Sequence, residues 1–319
     1  MLNVAVVGLG WWGRTHVRSL HGKSDKVRIT RLVDANLDAH RDFASELNLP
    51  LSRDYAEVLA DPRIDAVILV TPHSLHTDQI VAAAAAGKHV FTEKPFALSK
   101  AEAERAVAAA RKADIRLGLG HNQRFSPPQR EIKRRIADGA LGTVTLLEAN
   151  TSHDTLMNVR SWRADPKEAP GGGLWHMGSH SIDVFQHWVG RATQVYARRA
   201  STVQFADTGV AVISYAGGQT GTVSNVLVTP PSRHIQVFGT GGWARFTGPT
   251  ELVVCARGGT PEALSFAPED PVRNNVECFA DAVAGRGDYL IAPDEMIHDV
   301  AVLDATARSL DSGRPEDVL

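Results

Sequence analysis

Cysteine is nearly absent from this chain: Cys255 and Cys278 are the only two in 319 residues, far apart and outside any CxxC-type spacing. That excludes a disulfide framework and a cysteine-held metal, and predicts two reduced, buried thiols. An excess of charge of one sign is missing too. Lys and Arg number 34 against 36 Asp and Glu, a formal net charge of −2, so no basic field is present to hold nucleic acid or an anionic membrane. Apolar runs stay well short of the roughly 20 residues that a membrane span requires. The first strand-like run starts at Asn3 and leaves no room for a secretion leader, so the expected location is the cytoplasm. No repeat, low-complexity tract or long linker interrupts the chain, and its length suits two domains, each with its own core.

What is present begins at once. Residues 3–7 are an apolar run of strand length, followed by Gly8-Leu9-Gly10-Trp11-Trp12-Gly13 and a helical stretch to about residue 21. Each glycine in such a turn has its own task. Gly8 makes the tight bend, Gly10 lets backbone approach a pyrophosphate, and Gly13 lets helix and strand pack closely. The helix N-terminus offers free N–H groups to phosphate. The next strand, 27–33, ends in Asp34, about 21 residues after Gly13, where a carboxylate takes the ribose hydroxyls of an adenosine. No arginine or serine directly adjoins Asp34 to receive a 2′-phosphate, which favours NAD over NADP, although Arg41 lies close enough to compete.

Strand and helix patterns then alternate to Gly120: a short helix at 54–60, a strand at 66–70 leading into Thr71-Pro72, an alanine-rich helix at 77–86, a strand at 89–92, a helix at 99–114 with Ser99 as its cap, and a strand at 115–120. This rhythm implies a doubly wound parallel sheet with helices on both faces. Every residue just after a strand then lies on one carboxyl edge, where ligands bind. Gly8, Asp34, Thr71, Glu93 with Lys94, and His121 with Asn122 all qualify. Lys94 is the lysine whose surroundings argue for chemistry, because it leaves the end of a buried strand directly before Pro95, which holds it extended. Acting as a base near pH 8 asks for a lysine pKa about 2 below its free value of about 10.4, and desolvation beside a cationic ring favours that.

After Arg124 the rhythm changes to a helix at 127–138, a strand at 144–151, the glycine run 171–173, a helix at 174–189, and alternating strands from 195 to 256. That reads as an α+β domain with a large, mainly antiparallel sheet whose second face needs covering, so self-association as a dimer or tetramer is expected. The domain boundary is expected between 121 and 122, with 122–319 forming the substrate-binding half. In the 174–189 helix, His176, His180 and Asp183 fall at i, i+4 and i+7 on one face. Three uses of that face remain open: proton transfer beside Lys94, a structural histidine cluster, or a metal site serving a lyase or hydrolase.

Taken together, these motifs resemble the Gfo/Idh/MocA oxidoreductases, the family of glucose–fructose oxidoreductase and inositol dehydrogenases. The resemblance runs over Gly8–Gly13, Thr71-Pro72, Glu93-Lys94-Pro95, Asn122 with Arg124-Phe125, Trp162-Arg163, the glycine run, and Gly178-Ser179-His180 with Ile182-Asp183. It implies an NAD(P)-dependent dehydrogenase of a sugar, cyclitol or diol, with Lys94 and His180 bracketing the substrate. Where the family has an aspartate this chain has His176, which joins the catalytic candidates and leaves the substrate open. The same family contains sensors that bind dinucleotide without turnover, the competing reading. Cofactor contacts are expected from Gly8, Gly10, Trp11, Trp12, Gly13, Asp34, Thr71, Pro72, His76, Glu93, Lys94 and Asn122. Substrate contacts are expected from Arg124, His153, Trp162, Arg163, His176 and His180, and no resident metal is expected.

Overall fold

The structure, a computed structural model, describes the chain apart from residues 155–161, 163–164 and 204–205. Contacts divide it into two units, Met1–Asn122 with Asp270–Ile297 and Gln123–Glu269 with His298–Leu319.

The first unit alternates β1 (Leu2–Val7), α1 (Trp11–Leu20), β2 (Val27–Val33), α2 (Arg41–Glu46), β3 (Leu51–Ser52), α3 (Tyr55–Ala60), β4 (Ala66–Leu69), α4 (His73–Ala85), β5 (His89–Thr92), α5 (Lys100–Lys112) and β6 (Leu117–Leu119). Its six strands are parallel in the order β3-β2-β1-β4-β5-β6. The central strands read as continuous Val, Ile, Leu and Ala because helices cover both faces, and β4 is buried at every position. Strand β3 is an addition to the five read from the sequence. Its two residues pair with Leu32 and Val33 at the sheet edge, too short a run to give a periodic signal. At the start of α5, the Ser99 hydroxyl accepts from the Glu102 N–H at 3.3 Å, and the Glu102 carboxylate accepts from Leu98 N–H at 3.2 Å.

The second unit contains α6 (Pro127–Ala137), β7 (Val144–Ser152), a π-helical turn at Leu174–Gly178, α7 (Ser179–Val189), β8 (Ala192–Ala200), β9 (Thr208–Tyr215), β10 (Thr220–Val226), β11 (Ser232–Gly239), β12 (Gly242–Gly248), β13 (Glu251–Ala256) and β14 (Glu262–Ser265). Helices α8 (Pro271–Val283) and α9 (Pro293–Ser312) and the short β15 (Glu316–Asp317) close the chain. Nine strands form one sheet in the order β14-β13-β12-β11-β7-β10-β9-β8-β15. It is antiparallel except for the β7–β10 pair. Burial alternates residue by residue along β9 and β10, the mark of a sheet with one covered face.

Two expectations change. A boundary after residue 121 leaves out α8, whose Val276, Phe279 and Ala280 complete the apolar core of the first unit against Phe91, Ile68 and Leu20. Burying Phe279 alone contributes about 2–3 kcal/mol, and the Asn275 amide donates to the Leu119 carbonyl at 2.9 Å. The Asn275–Leu119 contact spans 156 residues of sequence and leaves no local trace. The thiols of Cys255 and Cys278 are half-exposed rather than buried.

Candidate active site

Five strand ends of the first unit are held in line by backbone hydrogen bonds that continue the sheet past its last residues. Gly8 N–H donates to the Val33 carbonyl, Val70 N–H to Val7, Glu93 N–H to Leu69 and Gly120 N–H to Thr92, all at 2.8–2.9 Å. The loops carrying the predicted residues therefore start from one level edge.

At the first of these ends Gly8 makes the expected tight bend and Gly13 the expected close packing. Gly8 has φ +93°, and a Cβ there would sit 2.5 Å from the Val70 carbonyl oxygen. A Cβ on Gly13 would meet the Gly8 carbonyl at 1.9 Å. Gly10 differs, having no heavy atom within 4 Å of where its Cβ would stand. No side chain caps the N-terminus of α1, and its first turn contains no acidic residue. An open backbone N-terminus beside a bare Gly10 fits the pyrophosphate of a dinucleotide. Trp11 is 75 % exposed beside this turn, and its ring centroid lies 5.3 Å from that of the half-buried Trp12.

Asp34 is tied to the same turn. Its Oδ2 accepts from the Leu9 N–H at 2.7 Å and its Oδ1 from the Asn36 N–H at 2.8 Å. Both oxygens are thus aimed by backbone, while the side chain keeps partial contact with solvent. Arg41, the cation read as a competitor for a 2′-phosphate, is turned outward into an exposed pair with Asp38 at 2.9 Å. The basic group beside Asp34 is instead His40, with Nε2 3.4 Å from Oδ2, backed by Arg14, which donates to His40 Nδ1 at 2.8 Å. Neither stood out in the sequence, where a single basic residue on a helix or turn looks like ordinary surface.

The Thr71 hydroxyl donates to Gln79 Oε1 at 2.6 Å, and Pro72 precedes α4 as its cap residue. His76 is fully buried, with Nδ1 3.0 Å from the Pro95 carbonyl and Nε2 3.1 Å from the Thr71 carbonyl. It therefore bridges the Thr71-Pro72 loop to the Lys94-Pro95 loop, whose peptide bond is cis. Glu93 is buried as well and turned towards α1, with Oε1 2.8 Å from His16 Nε2. Burial pushes the Glu93 carboxyl up, but hydrogen bonds from His16 and Trp12 and the nearby Lys94 charge outweigh it and hold the group below the usual carboxylate range. A Cβ on Gly120 would sit 2.3 Å from that carboxylate, so a glycine at the end of β6 makes room for it. Lys94 itself is half-buried, and its backbone N–H donates to Glu93 Oε2 at 3.3 Å. The lysine thus leaves a loop fastened on one side to α1 and on the other to α4, while Asn122 is half-buried in the turn after β6.

In the second unit the expected helix from 174 begins as a π turn and becomes α-helical only at Ser179. His176 and His180 are therefore not related by a regular α-helical turn, because the π segment is wound more loosely. His176 is half-buried and His180 buried. Gly173 lies close under Asn225, whose Oδ1 would be 1.9 Å from an added Cβ, and this close approach is what the glycine run before the helix provides. Arg124, expected to meet substrate, is 2 % exposed and directs Nε and Nη2 to Asp183. His153 and Trp162 are half-buried, and the His153 N–H donates to the Val226 carbonyl at 2.9 Å. Arg163 lies outside the described residues. No described helix is long and apolar enough to cross a membrane.

Residues 2–121 match the oxidoreductase family with an NAD-binding Rossmann fold, GFO_IDH_MocA, and residues 129–245 match the GFO/IDH/MocA C-terminal domain. The myo-inositol 2-dehydrogenase of Thermotoga maritima is 28 % identical over 76 % of this chain and 74 % of its own. The D-xylose 1-dehydrogenase (NADP(+)) 2 of Haloferax volcanii is 29 % identical over 85 % of this chain and 86 % of its own. Among solved structures, the aldose-aldose oxidoreductase of Caulobacter crescentus, complexed with glycerol, superposes with a TM-score of 0.90 at 23 % identity, covering 99 % of both chains, a likeness of fold.

Proposed function

The chain belongs to the Gfo/Idh/MocA oxidoreductases, and from that premise we propose that it is an NAD-dependent dehydrogenase. It oxidises a hydroxyl of a sugar, cyclitol or related diol, or reduces the corresponding ketone, with Lys94 as the acid–base group. The observation that carries this reading is the anchoring of Lys94: a half-buried lysine on the same strand-end edge as Gly8–Gly13 and Asp34, its loop fixed by buried Glu93 and His76.

When bound, the nicotinamide supplies the hydride acceptor. The glycine turn and α1 hold its pyrophosphate, and Asp34 takes the adenosine ribose hydroxyls and repels a 2′-phosphate. Lys94 Nζ takes the substrate hydroxyl proton and returns it in the reverse direction, and the buried anion of Glu93 beside it steadies the protonated form. His180 orients the hydroxyl, the role the family resemblance implies, and His176 replaces the usual carboxylate beside it. The test is a panel of sugars, cyclitols and diols offered with NAD and followed by NADH absorbance. Turnover of at least one, lost in Lys94→Ala, is expected. Inactivity across the panel despite tight NADH binding would favour a dinucleotide-binding sensor.

The outward positions of the large sheet include Tyr196, Val210 and Val212, the two valines 44 % and 40 % exposed. A second copy of the chain is the proposed cover for this face, giving a dimer or a tetramer.

A further inference from the structure

We propose that His40 makes the choice between NAD and NADP depend on pH: protonating its ring releases Arg14 and offsets the charge of Asp34, admitting the 2′-phosphate that Asp34 otherwise repels. The inference rests on the dinucleotide reading of the glycine turn and goes beyond it.

Arg14 directly follows Gly13 on the first turn of α1. Its Nη2 is 2.8 Å from His40 Nδ1 and 2.7 Å from the Ala39 carbonyl, with the guanidinium carbon 5.1 Å from the Phe43 ring centroid. A guanidinium only donates. His40 Nδ1 must therefore accept, which places the proton of the neutral ring on Nε2, the nitrogen 3.4 Å from Asp34 Oδ2. Arg14, His40 and Asp34 thus form a directed chain of donors ending on the carboxylate that addresses the ribose.

A second proton on His40 has one place to go, Nδ1. There it faces the Arg14 N–H donor to donor, and that hydrogen bond breaks. The ring cation then stands against Asp34, and the guanidinium, let go by His40 but still held to the Ala39 carbonyl through Nη2, turns its remaining donors to a phosphate. The charged groups facing His40 are Asp34, after β2, and Arg14, on α1. On its own turn Asp38 and Arg41 pair with each other at the surface, and Arg18 shares the Phe43 ring with Arg14 at 5.4 Å. Burial lowers the His40 pKa most; Asp34 raises it and Arg14 lowers it, and the balance falls below the ordinary 6.5. The change therefore belongs to the acid side of that value.

The experiment measures equilibrium binding of NADH and NADPH, by fluorescence of the bound dinucleotide, between pH 7.5 and 5.5. It compares the natural protein with His40→Asn and Arg14→Gln, each checked for native circular dichroism. The 2′-phosphate itself gains a proton near pH ~6, so every protein shows some acid gain in the NADPH to NADH affinity ratio. The natural protein should gain about fivefold to tenfold more than either variant. Equal gains in the natural protein and His40→Asn, or a full gain retained in Arg14→Gln, would overturn the proposal. Failure of the natural protein to bind either dinucleotide overturns the underlying cofactor reading, and this inference with it.

Discussion

Arg124 grips Asp183 at two points out of reach of water: Nε lies 2.9 and 3.1 Å from the two carboxylate oxygens and Nη2 2.7 Å from Oδ1, with both side chains 1 % exposed. The pair fastens the turn after residue 122 to α7, the helix that carries His180. It makes Asp183, read from the sequence as part of a histidine–carboxylate face, a partner of arginine first.

Removing one member of this pair leaves the other charged and sealed. Arg124→Ala should cost about 3–5 kcal/mol of stability, read as a lower urea midpoint. A change in substrate KM at unaltered stability would return Arg124 to the role of substrate contact.

His187 approaches the remaining nitrogen of the guanidinium, with Nδ1 3.4 Å from Arg124 Nη1. Burial chiefly, then the Arg124 cation, push its pKa down from 6.5 to about 4. The unfolded chain binds a proton between these values while the folded one does not, so His187 contributes stability that is complete above pH 6.5 and is lost as pH falls towards 4. The difference is worth up to roughly 3 kcal/mol, less after allowance for the ring's partial exposure. His187→Gln should flatten that part of the curve of urea midpoint against pH. An unchanged slope would assign the acid sensitivity to other groups.

The glycines separate folding from binding. Gly13→Ala drives a Cβ into the Gly8 carbonyl and should lower the thermal midpoint and abolish NADH binding together. Gly10→Ala meets no protein atom and keeps an allowed φ of −56°. It should fold normally yet bind NADH at least about tenfold more weakly, because the added methyl occupies space that the proposed cofactor site gives to phosphate. Undiminished affinity in Gly10→Ala would remove the glycine turn from the cofactor site.

Lys94→Ala is expected to lower kcat by about 10²–10⁴ while NADH affinity stays within about threefold, since the proposed cofactor grip lies in the glycine turn and Asp34. Stopped-flow turnover on the best substrate, beside NADH titration, decides it. A kcat near that of the natural enzyme would end the acid–base assignment.

If the outward sheet face is shared between copies, Val210→Lys with Val212→Lys should shift the sedimenting species towards 34.4 kDa without unfolding it. A natural protein already sedimenting at 34.4 kDa at micromolar concentration would contradict the expected association.

The sequence alone determined what local patterns can encode. Continuous apolar runs ending in Gly8, Asp34, Thr71 and Glu93 required a parallel sheet with one chemically rich edge, because strand direction fixes which residues emerge there. Period-two patterning likewise specified the large second sheet. Tertiary structure decided what depends on partners distant in the chain. Whether Glu93 faces solvent or α1 was settled by His16, 77 residues away, and the role of Arg124 by Asp183, 59 residues away. The neighbour of Asp34 proved to be His40 backed by Arg14, not Arg41, because a turn, unlike a strand, carries no periodicity that tells which of its side chains points inward. The π turn ahead of α7 was hidden for a related reason: the apolar pattern of 174–189 satisfies a helix of either winding.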